Sequence, residues 1–84
     1  MRLIWAPGAW QDYLHWSRTD VRMRDKINRL IDDIQSHPFT GLGKPEPLKR
    51  VLAGFWSRRI TREHRLVYRI ESDALMIAQC RFHY

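Results

Sequence analysis

The 84-residue sequence holds a single cysteine, Cys80, so no internal disulfide can form and a reducing compartment is the expected setting. No run approaches the ~18–20 apolar residues that span a bilayer. Met1–Trp10 lacks the uninterrupted apolar stretch and small-residue cleavage site of a signal peptide. A cytoplasmic location with no membrane partner is therefore expected. The histidines (His15, His37, His64, His83) and Cys80 show no metal-ligand spacing, and no phosphate-cradling glycine loop or G-x-S-x-G elbow is present. Neither metal nor cofactor is expected. Linkers, internal repeats and low-complexity tracts are also missing, which leaves one domain over 1–84.

Acidic residues are scarce in the second half. Residues 1–40 carry six basic against five acidic groups, and residues 41–84 carry nine against four. Nearly all of the +6 net charge therefore lies in 41–84. A basic field so localised favours a polyanion, either nucleic acid or an acidic protein.

What is present has an ordered pattern. Leu3-Ile4-Trp5 reads as a first strand. Pro7 suits a first helical turn, although Ala6 before it is a poor cap. Trp10, Tyr13 and Leu14 recur at helical spacing, and Trp10, Tyr13 and Trp16 read as core and subunit-contact aromatics. Asp20 or Thr19 can cap a second helix whose apolar stripe is Met23, Ile27, Leu30, Ile31 and Ile34. His37-Pro38 ends it. Gly41, Gly43, Pro45 and Pro47 mark Thr40 to Leu48 as loop. Strand candidates follow at Phe55–Thr61, Leu66–Ile70 and Leu75–Tyr84, joined by turns short enough for antiparallel pairing. The order predicts an α+β domain: an N-terminal strand, then two helices packed on one face of a mainly antiparallel sheet.

Strand alternation then sorts the side chains. In the last strand Met76, Ala78, Cys80 and Phe82 are predicted to face the core, with Gln79, Arg81 and His83 opposite. In the strand before it Leu66, Tyr68 and Ile70 face the core, with Arg65, Val67 and Arg69 opposite. The Phe55–Thr61 strand is ambiguous; Ile60 as core favours Arg59 on the open face. An arginine-lined face suits phosphate, because guanidinium forks match its oxygens in pairs and stay charged. Cleavage of RNA by its own 2′-OH needs more: a base, an acid and a cation for the phosphorane. Glu46, braced in Lys44-Pro45-Glu46-Pro47, is the best carboxylate. His83 can exchange a proton near neutrality, and Arg65 can stabilise charge. Neighbouring cations weaken a carboxylate as a base, so Glu46 acts either as base or as positioning group. Spacing alone supports phosphate binding and stops there.

Together the blocks Leu3-Ile4-Trp5, Asp12-Tyr13-Leu14, Gly43-Lys44-Pro45-Glu46-Pro47-Leu48-Lys49, Trp56-Ser57-Arg58-Arg59-Ile60-Thr61, Glu63-His64-Arg65-Leu66-Val67-Tyr68 and Cys80-Arg81-Phe82-His83-Tyr84 closely resemble the YoeB toxins of the RelE superfamily. The resemblance covers the whole chain; Ala6-Pro7-Gly8, at the first helix start, departs from it. It implies a RelE-like fold and a ribosome-dependent endoribonuclease that cuts messenger RNA in the A site of the 70S ribosome. Glu46 would be general base, Arg65 phosphate stabiliser and His83 general acid, with Tyr84 completing the site. Lys44, Lys49, Arg59 and Arg81 would be RNA-binding cations. A homodimer and a cognate YefM-like antitoxin with an acidic segment are also implied. The alternative within the superfamily is a non-catalytic inhibitor that binds a macromolecular target without cutting RNA.

Overall fold

A computed structural model describes residues 1–83. β1 (Arg2–Trp5) leads into α1 (Pro7–Thr19), which turns directly into α2 (Val21–Ser36). After a loop come β2 (Glu46–Pro47), a 3-10 turn over Arg50–Leu52, β3 (Trp56–Arg59), β4 (Arg65–Glu71) and β5 (Ala74–Gln79). The strands form one sheet in the order β1-β5-β4-β3-β2. β1 runs parallel to β5, and the other neighbours are antiparallel. This is the expected α+β layout.

Local chemistry explains both helices. Pro7 opens α1, and Ala6 supplies no side-chain cap. At α2 the cap is Asp20, whose carboxylate accepts from the Arg22 N–H at 3.1 Å. Thr19 instead donates its hydroxyl back to the His15 carbonyl. The α2 stripe is buried as expected and packs on Leu66 and Tyr68 of β4 and on Leu75 and Ile77 of β5. From α1 the buried residues are Ala9 and Trp16. Trp10 does not join them. It is 42% exposed and meets Trp5 and Tyr13 at the flank of β1, because the small Ala9 takes the position of closest approach.

The last strand corrects the sequence reading. Leu75 and Ile77 face the core with no exposure, while Met76 and Ala78 are only half-buried. The cause is a bulge: Tyr68 pairs with Ile77 and Val67 with Gln79, so Ala78 is an extra residue. Alternation counted back from Cys80, which is correctly buried, fails on crossing it. The strand also ends at Gln79, so Arg81, Phe82 and His83 follow no alternation. Phe82 is exposed and adopts φ +64°. Burial, with the Asp12 carboxylate adding to it, pushes the Cys80 thiol up to about 12. That makes it inert.

The least expected core member is Arg58, with no exposed surface. Its Nη1 donates to Asp33 and to the Leu42 carbonyl, its Nη2 to the carbonyls of His37 and Thr40, and its Nε to the Tyr68 hydroxyl. The Tyr68 hydroxyl in turn donates a hydrogen bond to the Pro38 carbonyl at 2.6 Å. One guanidinium thus ties the end of α2 and the loop after it to the middle of the sheet. Hydrogen bonds from Arg58 and from the Leu42 N–H hold the Asp33 carboxyl below its usual 3.8, against a smaller opposing effect of burial. A carboxyl depressed in the folded state stabilises above its unfolded value and loses that contribution as pH falls through the folded one. Chemical denaturation of wild type and Asp33→Asn should therefore show a stability gap that is constant above about pH 5 and shrinks below about pH 4. A gap that widens on acidification would contradict this assignment.

Candidate active site

The sheet face turned away from the helices gathers most of the candidate residues. Register aligns Glu46, Ser57, Val67 and Gln79 in one row across β2, β3, β4 and β5, and pairs Arg59 with Arg65 in the next. Ser57 and Val67 are 2% exposed and form the floor of this face, whereas Glu46 and Arg59 stand exposed above it. Glu46, expected in a loop, lies in the short edge strand β2. An edge strand tolerates Pro47 because its outer side needs no ladder bond. The Leu48 N–H to Phe55 carbonyl bond extends the pairing.

Lys44 is brought in by a tight approach. Gly43, at φ +78°, presents its carbonyl to the Arg59 N–H at 2.6 Å. A Cβ there would stand 3.0 Å from both the Arg59 carbonyl oxygen and the Leu30 side chain. Only glycine allows the loop so close to β3. Lys44, Glu46, Ser57, Arg59 and Arg65 together line a cleft of about 90 Å³. One carboxylate thus faces three cations across a space that small. An apolar hollow of about 150 Å³, lined by Lys26, Arg29, Leu30, Leu42, Arg59 and Ile60, is roomier but offers no carboxylate or imidazole.

The Arg65 guanidinium is fixed before any ligand arrives. Its Nη1 donates to the carbonyls of Thr61 at 2.7 Å, Arg62 at 3.0 Å and His64 at 3.3 Å. Its backbone N–H donates to the Phe82 carbonyl at 3.0 Å. His83, exposed, therefore follows directly from a residue hydrogen-bonded to Arg65.

Of the residues singled out in the sequence, Lys44, Glu46, Arg59 and Arg65 share the cleft; His83 is not among the cleft-lining residues and is linked to Arg65 through the carbonyl of Phe82 before it. Lys49 is exposed beyond β2 and is not among the cleft-lining residues. Arg81 is not on the open face as alternation predicted. Its guanidinium carbon sits 5.9 Å from the Trp16 ring centre and 4.5 Å from that of Phe82, because the chain has left the strand by then. Tyr84 lies outside the described residues. Sequence reasoning missed Ser57 in the cleft floor. Its register opposite Glu46 was the only signal, and that required knowing β2.

Comparison with known proteins identifies the family. Residues 5–84 match the family described as a YoeB-like toxin of bacterial type II toxin-antitoxin system. Toxin YoeB of Escherichia coli K12 is 61% identical over the full length of both chains. A solved YoeB/ParE toxin from Agrobacterium tumefaciens is 57% identical, with full coverage of both chains and a TM-score of 0.98. The YoeB of Staphylococcus aureus, solved in a heterotetrameric YoeB-YefM complex and as a YoeB dimer, is 41% identical in each. It covers 100% of this chain and 98% of its own, with TM-scores of 0.93 and 0.94. The chain therefore belongs to the YoeB-like toxins of bacterial type II toxin-antitoxin systems.

Proposed function

We propose that this toxin is an endoribonuclease that cuts messenger RNA in the ribosomal A site, using the ribose 2′-OH as nucleophile. The observation that carries this reading is the cleft itself: Glu46 faces Arg65, Arg59 and Lys44, and the His83 segment is bonded to the Arg65 backbone. Glu46 takes or orients the 2′-OH proton while the 2′-oxygen bonds to phosphorus. Arg65, anchored by the carbonyls of its own turn, neutralises the phosphorane oxygens. His83 protonates the 5′-oxygen as the P–O5′ bond breaks. The products are a 5′-hydroxyl fragment and a 2′,3′-cyclic phosphate, which water can open to a 3′-phosphate. Side chains supply every proton and charge in this route, so it invokes no metal.

Lys44 and Arg59 in the cleft, with the exposed Lys49 beyond β2, add positive charge for the RNA backbone, and Tyr84, next to His83 in sequence, is a further candidate for the site. A YefM-like antitoxin and a second copy of the chain are the expected partners, in keeping with the S. aureus assemblies. An acidic antitoxin segment would neutralise the basic cleft. A ribosomal target implies action in the cytoplasm. No helix among the described residues is long and apolar enough to cross a membrane.

Inducible expression followed by mapping of messenger 5′ ends tests this reading. The expected result is growth arrest with new 5′-hydroxyl ends in phase with codons. Growth arrest with intact messengers would favour the non-catalytic inhibitor instead.

A further inference from the structure

The segment after β5 takes an unusual path. Phe82 adopts φ +64°, a region that residues with a Cβ seldom enter. Its side chain is 57% exposed, so side-chain burial does not impose this conformation. Backbone contacts do. The Phe82 carbonyl accepts from the Arg65 N–H at 3.0 Å and from Gln79 Nε2 at 3.5 Å. Gln79 Nε2 also holds the Arg81 carbonyl at 3.1 Å, and Trp16 Nε1 holds that of Cys80 at 2.9 Å. On its other side the Phe82 N–H donates to His64 Nδ1 at 2.7 Å, the shortest of these bonds.

His64 is itself held in place. Its carbonyl accepts from the N–H groups of Ile60 and Thr61, and its N–H donates to the Thr61 hydroxyl at 3.2 Å. The ring packs edge-on against Trp16 at 4.9 Å between centres. A backbone N–H can only donate, so Nδ1 must be the unprotonated acceptor and the ring proton must sit on Nε2. The turn that carries His64 is also the one whose carbonyls anchor the Arg65 guanidinium.

We propose that His64 is a positioning residue: its Nδ1 pins the left-handed Phe82 backbone and so fixes His83 in register with Arg65. This rests on the cleavage reading, in which His83 and Arg65 act on one phosphate. One turn then sets the positions of both, the guanidinium through carbonyl acceptors and the imidazole through the chain that precedes it. Losing the bond leaves both groups present and misaligned, which lowers the chemical step and spares binding.

Two substitutions separate the hydrogen bond from the ring. His64→Asn places a carbonyl oxygen near the position of Nδ1 and removes the ring. His64→Phe keeps an aromatic ring against Trp16 and removes the acceptor. The full-length protein would be followed by amide exchange at Phe82 and by single-turnover cutting on messenger-programmed ribosomes. Thermal melting would confirm that each variant is folded. In wild type a nitrogen–nitrogen coupling across the Phe82–His64 bond should be detectable.

The expected result is fast Phe82 exchange and at least about tenfold slower cutting in His64→Phe, with unchanged ribosome affinity. His64→Asn should retain Phe82 protection and most of the rate. Equal behaviour of the two variants, or wild-type protection and rate in folded His64→Phe, overturns the proposal. A wild-type protein that does not cut overturns the cleavage reading. The exchange and coupling measurements then still decide whether His64 holds the segment.

Discussion

Arg65→Ala is expected to slow cutting of messenger on programmed ribosomes by about 10²–10³-fold, the range for removing one preorganised oxyanion stabiliser. The size follows from how the group is held. Three carbonyls, of Thr61, Arg62 and His64, fix one end of the fork, so its charge needs no reorganisation when the phosphorane forms. Lysine is a point charge without that fork, so Arg65→Lys should recover little of the loss. Glu46→Ala and His83→Gln should each slow cutting by about 10²-fold, as expected for acid–base groups. All of these variants should keep ribosome binding, because Lys44 and Arg59 still offer positive charge. A wild-type cutting rate in Glu46→Ala or His83→Gln would remove that residue from the chemistry. Loss of ribosome affinity in step with cutting would reduce the cleft to a binding patch.

Arg58→Ala should be the most damaging single substitution for the fold, at about 3–5 kcal/mol, since it breaks a buried charged network by removing one member. Left behind would be the carbonyls of His37, Thr40 and Leu42, the Tyr68 hydroxyl and the Asp33 carboxylate. A small domain has only about 5–15 kcal/mol in total, so the substitution would remove a large share of its stability. The neighbouring Arg59→Ala provides the control. Arg59 is exposed on the opposite face, and its loss should cost under about 0.5 kcal/mol. Urea midpoints for the two variants decide the matter. Equal midpoints would mean that the buried Arg58 and its network add nothing to stability.

These paired arginines also mark where the sequence was legible and where it was not. The α2 stripe and its stop at Pro38 depend on contacts within a few residues of one another, and both were visible. β4 alternates apart from Val67, so Arg65 could be placed opposite Leu66 and Tyr68 before any fold was known. In β3 both faces mix charged with apolar residues. The acceptors that make Arg58 a core residue come from the end of α2, the loop after it and β4, and nothing local announces them. The bulge at Ala78 was equally hidden. An inserted residue leaves no mark in an apolar run, yet it reversed which of Met76 and Ile77 faces the core. β2 went unseen because Pro45 and Pro47 mark loops as strongly as they mark edges. Resemblance to YoeB toxins supplied the candidate roles, and the sheet register brought Glu46 and Arg65 to one cleft.

The most direct test of the account replaces one oxygen in the substrate. Ribosomes would be programmed with a messenger carrying a single 2′-deoxynucleotide at the mapped cut site and compared with the all-ribose messenger under single-turnover conditions. If Glu46, Arg65 and His83 drive attack by the 2′-hydroxyl, the deoxy codon should bind the toxin equally well and remain uncut. Cutting of the deoxy codon at the ribose rate would show that another nucleophile operates, and would contradict the assignment of all three residues.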